Sequence, residues 1–383
     1  MTKDNNKLEK DPLEEIIELT ERGRALTDEE KDRLLQDDEA MRAYKDFVNS
    51  RSALLLRYDP LPTNVNDEWN RFQHRTQKKS VRRTLWISIS GVAAAALLFL
   101  GYLWWAGNLR RNEEVVAFQA IDAVQQVVLQ TTTGEALVLA HDTKDDALAS
   151  FGTLLDRRDT LSLTYTAPQK VEMHTLTTPR GQDFKVVLSD GTTVWMNAES
   201  RLEYPSRFDG AVRSVALQGE AYFQVAKDSA HPFVIQTEQM QVRVLGTELN
   251  VRNYAAHDSH VTLINGSIEV GDPHRKEVFT TLIPGQDAQW QAEGSFLVKS
   301  VDVDAYIYWK QGYFYFDDVP LIDIMQSLGR WYNINVIFNN SNVMKYSMRY
   351  FCDRHDTLEQ ALILLNRMKI INVRSVGDTV YID

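Results

Sequence analysis

The stretch VALQGEAYFQV, residues 215–225, places apolar or small side chains at alternate positions. Successive side chains of a β-strand point to opposite faces, so a period of two is the pattern of a half-buried strand. We therefore predict a strand here, with one face packed in a core.

The same period of two recurs on both sides of residues 215–225. It is carried by Phe184, Val186 and Leu188 upstream, and by Met240, Val242 and Val244 downstream. Turn-forming pairs separate such runs at Asp190-Gly191, Asp209-Gly210, Asn265-Gly266 and Pro284-Gly285. No helical pattern intervenes, so this region is predicted to be an all-β sandwich, barrel or solenoid.

Residues 305–383 combine strand and helix patterns. Strands are predicted at residues 312–316 and 334–338, and a helix between them carries Leu321, Ile324, Met325, Leu328 and Trp331 on one face. A second cycle has a strand at residues 346–351, then a helix that begins with a capping box at residues 357–360, then paired strands around Gly377-Asp378. The pattern predicts a small α+β module with a duplicated strand-helix-strand unit.

Toward the N-terminus, residues 84–106 contain no charged side chain. About 20 apolar residues cross the ~30 Å hydrocarbon layer of a membrane as a helix. The predicted anchors at its ends are Leu85, Trp86, Tyr102, Trp104 and Trp105. A buried core helix is the alternative, but aromatic residues and clustered bases do not usually flank one. The length of the preceding chain argues against a cleaved signal peptide.

The charges that flank this segment predict its orientation. The bases before it are Arg71, Arg75, Lys78, Lys79, Arg82 and Arg83, whereas only Arg110 and Arg111 follow closely. Because basic residues stay on the cytoplasmic side, the N-terminus is predicted to be cytoplasmic and the C-terminus to lie across the membrane.

Residues 1–80 have the pattern of several short amphipathic helices. Their apolar faces include Ile16, Ile17, Leu34, Tyr44, Phe47 and Trp69. So short a segment buries little surface by itself, so these faces are predicted to bind a partner. The acidic residues of this segment are either a solvated face or a surface for a basic protein.

Charge and composition exclude several classes of function. A net charge of −11 argues against a nucleic-acid-binding surface, and the single Cys352 excludes an intramolecular disulfide framework. His257 and His260 have the spacing of a metal-binding pair, but no third ligand has convincing spacing, and a solvated loop explains them better. We expect no cofactor, no metal and no enzymatic activity.

Five motifs in order carry a family resemblance. They are LSDGTTVWMNA at residues 188–198, LQGEAYFQVA at residues 217–226, His231-Pro232-Phe233, Val244-Leu245-Gly246-Thr247 and Asn265-Gly266-Ser267. Over residues 177–301 the chain resembles the FecR-type transmembrane anti-sigma regulators. Its C-terminal module is similar to the short N-terminal domain of secretins and TonB-dependent receptors.

The resemblance implies a multidomain protein of the inner membrane. Residues 1–80 would be a cytoplasmic helical domain that binds an extracytoplasmic-function sigma factor, and residues 84–106 the single transmembrane helix. Residues 107–176 would be a periplasmic connector, residues 177–301 an all-β FecR-like domain, solenoid or sandwich, and residues 305–383 a small α+β domain. The implied periplasmic partner is the signalling domain of a TonB-dependent outer-membrane transporter, and membrane proteases would complete the relay by regulated proteolysis.

The resemblance also raises one chemical question, at Gly246-Thr247, where some family members are thought to cleave themselves. A threonine hydroxyl can attack the preceding carbonyl carbon if a turn holds it close, and glycine permits a strained backbone. A purely structural Gly-Thr at a strand end explains the motif equally well. The alternative for the whole chain is a periplasmic, membrane-anchored binding or assembly protein without a sigma-factor partner.

Overall fold

The computed structural model describes residues 114–122, 126–140, 142–156, 162–165, 171–275, 279–291 and 294–383. The predicted N-terminal helices and the predicted transmembrane segment lie outside these ranges. Within them, no helix combines the length and the apolar composition needed to cross a membrane.

The described residues are mainly β. The strands are β1 Val115–Phe118, β2 Val127–Thr131, β3 Ala136–Leu139, β4 Thr153–Asp156, β5 Ser162–Tyr165, β6 Met173–Thr178, β7 Phe184–Val187, β8 Thr193–Met196, β9 Ser200–Pro205, β10 Arg213–Gln224, β11 Phe233–Gln236, β12 Gln241–Val244, β13 Glu248–Asn253, β14 Ser259–Asn265, β15 Ile268–Gly271, β16 Phe279–Leu282, β17 Gln286–Gln291, β18 Ser295–Ser300, β19 Tyr313–Pro320, β20 Asn335–Phe338, β21 Ser347–Asp353, β22 Val373–Val376 and β23 Thr379–Ile382. The α-helices are α1 Asp145–Ser150, α2 Leu321–Tyr332 and α3 Leu358–Arg367. Short 3₁₀ turns occupy Ala256–Asp258, Val303–Tyr306, Tyr308–Gln311 and Val343–Lys345.

Strands β2 to β18 and α1 form what we call the β module. Its first sheet has the order β3-β2-β6-β9-β10-β11-β12-β15-β16. Its second sheet has the order β4-β5-β7-β8-β10-β13-β14-β17-β18. The chain alternates between the two sheets, which enclose one apolar core. The arrangement combines the winding of a solenoid with the facing sheets of a sandwich.

The long strand β10 belongs to both sheets, and a glycine makes this possible. Residues 213–218 pair in the first sheet, and residues 219–224 pair in the second. Gly219 lies at the junction with φ of +99°, and a Cβ there would lie 2.7 Å from the Cα of Ser200. Only glycine combines this backbone angle with so close an approach.

The predicted alternation in β10 is confirmed. Val215, Leu217, Ala221 and Phe223 are buried in the β-module core. Full burial of a side chain such as Phe223 contributes roughly 1.5–3 kcal/mol. The opposite face is not simply solvated, however, because Glu220 is buried as well.

Strands β1 and β19 to β23, with α2 and α3, form what we call the C-terminal module. Its main sheet has the order β1-β20-β23-β22, and β19 pairs separately with β21. The two helices and both sheets share one core. The predicted capping box is present, since Thr357 accepts a hydrogen bond from the Gln360 backbone and the Gln360 side chain accepts one from the Thr357 backbone.

The residues that precede the FecR-like motifs take part in both modules. Strands β2 to β5 pair within the two sheets of the β module, although they lie in the segment predicted as a connector. Strand β1, from the same segment, pairs instead with β20 of the C-terminal module. The C-terminal module therefore consists of two pieces that are about 200 residues apart in the sequence.

Candidate functional site

The predicted partner-binding and membrane residues lie outside the described part of the chain. They are Ile16, Ile17, Leu34, Tyr44, Phe47 and Trp69 for the sigma factor, and Leu85, Trp86, Tyr102, Trp104 and Trp105 for the membrane. Their roles stay predictions. The described residues hold two other candidate sites, the Gly246-Thr247 bond and the contact between the two modules.

The Gly246-Thr247 bond lies at a corner between β12 in the first sheet and β13 in the second. Gly246 has φ of +153°, and a Cβ there would lie 2.7 Å from the Cα of Lys227. This separation is shorter than real side chains allow, so glycine is required by the packing as well as by the backbone angle. The structural role of Gly246 is therefore clear from the geometry.

The Thr247 side chain is buried and held in a fixed direction. Its hydroxyl donates a 3.0 Å hydrogen bond to the carbonyl oxygen of Ser267. On either side of the bond, the backbone N–H of Val225 donates to the Thr247 carbonyl, and that of Asp228 donates to the Leu245 carbonyl. The hydroxyl oxygen keeps its lone pairs when it donates in this way, so it retains the electrons that a nucleophilic attack would use.

The contact between the modules is centred on Glu220 of β10. Its carboxylate accepts hydrogen bonds from Asn197 at 2.8 Å, Asn250 at 3.0 Å and Arg252 at 3.1 Å. The charge is thus paired and hydrogen-bonded, as a buried carboxylate must be. All four side chains belong to the β module.

The C-terminal part of the chain extends this network. Arg354 donates a 2.6 Å hydrogen bond to the Asn197 side chain, and the indole N–H of Trp309 donates to Asn250 at 3.2 Å. Arg354 is buried and also donates to the Trp309 carbonyl oxygen. Both asparagines therefore connect Glu220 to residues beyond the β module.

A second carboxylate bridges the modules beside this network. Glu199 has a left-handed backbone with φ of +55°, and it accepts hydrogen bonds from Arg180 at 2.9 Å and from Arg330 of α2 at 3.0 Å. The Arg330 guanidinium also lies 3.5 Å from the centre of the Tyr254 ring. The interface is thus fixed by directional, charge-assisted bonds at several points.

Each of the two modules contains a segment that matches a family model. Residues 174–269 match the family model described as FecR protein, and residues 313–382 match the model described as FecR, C-terminal. Both segments belong to the FecR family.

Solved structures are also similar to the chain. Two crystal structures of a candidate anti-sigma factor from Parabacteroides distasonis are similar to it, with 29% identity and a TM-score of 0.50. The match covers 55% of this chain and 98% of the other. No curated protein matches the chain.

The interface gives the FecR motifs a physical role that sequence reasoning missed. Asn197 and Glu220 lie in two of the five motifs, and both face the C-terminal module. The sequence did contain one signal for Glu220. It is a charged residue that follows Gly219 in the middle of a predicted strand in which apolar residues recur. Arg354 carried no comparable signal, since its burial depends on packing between distant segments.

The solvated loop predicted for the two histidines is wrong for His260: His257 lies in the 3₁₀ turn Ala256–Asp258, whereas His260 lies in strand β14 beside the same interface and contacts two acidic side chains. His260 contacts Asp287 at 3.0 Å and Asp258 at 3.8 Å, and its ring packs edge-on against Tyr306. Burial alone would lower the pKa of His260, but the two carboxylates outweigh this effect and raise it. Among the described residues, no group of three or more His, Cys, Asp or Glu side chains is arranged to hold a metal ion.

Proposed function

We propose that this chain is a transmembrane anti-sigma factor that relays a periplasmic signal to an extracytoplasmic-function sigma factor. The observation that carries the proposal is the match to both FecR segments, together with the likeness to a candidate anti-sigma factor over 98% of that protein. No catalytic chemistry is required of the chain for this role, apart from the self-cleavage considered below.

The membrane part of the proposal rests on the sequence. Residues 84–106 would cross the inner membrane once, with residues 1–80 in the cytoplasm and the two described modules in the periplasm. In the cytoplasm, the faces that contain Ile17 and Phe47 would bind the sigma factor and keep it at the membrane.

The periplasmic partner proposed for the C-terminal module is the signalling domain of a TonB-dependent transporter. Support comes from the sheet order, in which β22 is the outermost strand and no other described strand pairs with its outer edge. An uncovered edge can bind an extended partner segment through main-chain hydrogen bonds. The backbone groups of Val373 are bonded to the Asn366 side chain, but the other three β22 residues are exposed, so this remaining part of the edge is accessible to such a partner.

Proteolysis is the proposed route by which the signal crosses the membrane. A single helix transmits a conformational change poorly, whereas cleavage releases the cytoplasmic domain irreversibly. Self-cleavage at Gly246-Thr247 would be a prior maturation step: the Thr247 hydroxyl would attack the Gly246 carbonyl carbon, the peptide C–N bond would break as the ester forms and the nitrogen takes the proton, and water would hydrolyse the ester. The close packing at Gly246 and the fixed direction of the Thr247 hydroxyl support this step.

The proposal is tested by asking what the full chain binds and which way it faces. A tagged full-length chain, solubilised from membranes, should copurify an extracytoplasmic-function sigma factor. A reporter fused after Asp383 should be active only in the periplasm. Cytoplasmic activity of that reporter would contradict the topology, and a membrane-anchored protein without any sigma factor would support the binding or assembly alternative.

A further inference from the structure

Strand β1 is a short piece of chain attached to the edge of a distant sheet. Val115 and Val116 pair with Phe338 and Ile337 of β20, and a bulge separates them from Phe118. On the other side of β20 lies β23, so β1 forms one outer edge of the sheet. A four-residue edge strand with a bulge contributes few ladder hydrogen bonds, so other contacts must hold it in place.

Two asparagine side chains continue the pairing beyond the end of β1. The amide group of Asn333 accepts a hydrogen bond from the Ile121 N–H at 3.2 Å and donates one to the Ile121 carbonyl at 3.0 Å. Asn335 accepts a 2.9 Å bond from the N–H of Ala120. Asn333 ends helix α2 in a left-handed conformation with φ of +50°. These side chains thus serve as ladder partners for a segment that has left the sheet.

The Phe118 ring packs against Gly329, Arg180 and Arg330, and we call these three residues the seat. It packs against Gly329 of α2, where a Cβ would lie 2.7 Å from the ring. The guanidinium groups of Arg180 and Arg330 lie 4.4 and 5.4 Å from the centre of the ring. The absence of a side chain at residue 329 therefore creates the space that the ring occupies.

The seat also connects residues 115–121 with the β module and with the rest of the C-terminal module. Arg180 belongs to the β module, and it donates hydrogen bonds to the Gln119 carbonyl at 2.6 Å and to Asn333 at 3.1 Å. The same arginine bonds to Glu199, which holds Arg330. Residues 115–121, which we call the clasp, are thereby connected to both modules at once.

The clasp makes specific contacts with both modules, but its residues are partly or largely exposed. Val116 is 50% exposed and Ile121 is 46% exposed, and none of the residues 115–121 is fully buried. Segments with few buried apolar contacts open at low cost in free energy, well before the rest of the protein unfolds. The clasp therefore combines a defined closed position with a low free-energy cost of opening.

The clasp lies close in sequence to the predicted membrane segment, so its opening would affect the chain next to the membrane. Eight residues separate Ala106, the predicted end of the membrane segment, from Val115. Such a stretch spans at most ~30 Å when extended. In the topology proposed above, the closed clasp holds the C-terminal module close to the membrane and keeps residues 114–122 in a folded structure.

We propose that the clasp is a built-in release point, closed in the resting protein and opened when the C-terminal module is engaged. Opening would unfold residues 114–122 and leave extended chain next to the membrane, which is the form that proteases cleave. The inference rests on the proposed signalling function and adds the step that would precede proteolysis.

A cross-strand disulfide tests whether opening is required. In the full chain, Val116→Cys with Ile337→Cys places two thiols on directly paired residues of β1 and β20, within the range that a disulfide can bridge. We expect the oxidised variant to lose sigma-factor release in response to the inducer, and a reductant to restore it. The matched control, Glu269→Cys with Thr281→Cys on directly paired, exposed residues of β15 and β16 in the β module, should respond like the unmodified chain. Normal release from the oxidised clasp variant would overturn the proposal.

A second measurement does not depend on signalling. Phe118→Ala in the purified full chain should speed amide exchange at Ala120 and Ile121 by about tenfold, since the ring that holds the segment is lost. The control Tyr346→Ala, at a more exposed aromatic residue of the C-terminal module, should leave this exchange unchanged. Unchanged exchange in Phe118→Ala would show that the seat does not hold the clasp. Faster exchange in a chain that binds no sigma factor would support the clasp and contradict only the function proposed for the whole chain.

Discussion

At the scale of single residues, the interface depends on a charge buried between the modules. Glu220 has three hydrogen-bond donors around it, and two of them also bond to residues of the C-terminal part of the chain. A buried charge gives directional contacts, and its loss leaves the surrounding donors unpaired. Such a contact favours one relative position of the modules.

Glu220→Gln should loosen this contact. The replacement keeps the shape but removes the charge that Arg252 and the two asparagines are arranged to meet, so we expect a loss of about 1–3 kcal/mol in the free energy of unfolding. Thermal and denaturant unfolding of the full chain would measure it. Glu203→Gln is a suitable control, because that carboxylate is partly exposed on neighbouring β9 and its ion pair within the described residues is with exposed Arg201. It should change stability by less than about 0.5 kcal/mol.

Removal of the Thr247 hydroxyl tests whether the Gly246-Thr247 bond is cleaved by the chain itself. If the chain cleaves itself, mass spectrometry of the purified protein should find a break before residue 247 that Thr247→Ala abolishes, because the attacking oxygen is gone. Thr262→Ala, at another buried threonine of the β module, is the control and should leave cleavage intact. Intact wild-type chain after long incubation would assign Gly246-Thr247 a structural role.

His260 should make stability depend on pH. Its pKa is raised in the folded protein by Asp287 and Asp258, so its contribution is complete below its unfolded value of about 6.5 and is lost as pH rises through the folded value. We expect the difference in melting temperature between the wild type and His260→Gln to be largest near pH 6 and to shrink at higher pH. A difference that stays constant with pH would show that the charge of His260 does not contribute.

At the scale of elements, the sequence correctly predicted those features that depend on residues close together in the chain. The alternation in β10 and the capping box at Thr357 and Gln360 depend on neighbouring residues, and both are present in the structure. The pairing of β1 with β20 could not be predicted in the same way. Four residues between Val115 and Phe118 carry little periodicity, and their partner is fixed by long-range packing against Gly329 and Asn333.

The same limit applies to the candidate site. The motif that contains Gly246-Thr247 was recognisable from its residues, and the structure shows why glycine is needed there. The role of Glu220 at the interface depends on Trp309 and Arg354, which lie about 90 and 130 residues away, so no local pattern could reveal it.

The helices predicted from the sequence of residues 1–80 lead to a prediction at this scale. Ile17→Asp with Phe47→Asp should weaken binding of the sigma factor to the full chain by at least about tenfold, because a buried contact would then contain unpaired charge. Asn5→Asp with Asn6→Asp adds the same charge outside the proposed faces and should bind normally. If both variants bind like the wild type while the chain reaches the membrane, the proposed faces are wrong.

At the scale of the whole molecule, the two modules and the clasp are mutually dependent. Removal of residues 305–383 would be a direct test of sensing, but it would also expose the face of β10 that carries Glu220 and Tyr222, and it would leave β1 without β20. Point changes in the full chain therefore give a cleaner answer than truncation.

The outer edge of β22 offers such a change. Ser375→Pro removes a backbone donor that faces away from β23 at an exposed position of the edge strand, because the doubly hydrogen-bonded pair Asn372 and Asp383 fixes which residues of β22 point outward. Pairing with a transporter segment should therefore weaken while the module stays folded. We expect the response to the inducing nutrient to fall, with sigma-factor binding unchanged, in a transcription reporter assay. Gly377→Ala, in the adjacent turn, controls for local strain, since it places a side chain on a left-handed backbone with φ of +61° while its added Cβ meets no neighbour within 4 Å, and it should respond normally. A full response from the proline variant would place the sensory contact elsewhere.

The central claim is that the chain keeps a sigma factor at the membrane until a periplasmic signal arrives. Fractionation of cells before and after induction measures this directly. We predict that the extracytoplasmic-function sigma factor is in the membrane fraction of uninduced cells, moves to the soluble fraction on induction, and is always soluble in cells that lack the chain. A sigma factor with the same distribution in the presence and absence of the chain would contradict the account.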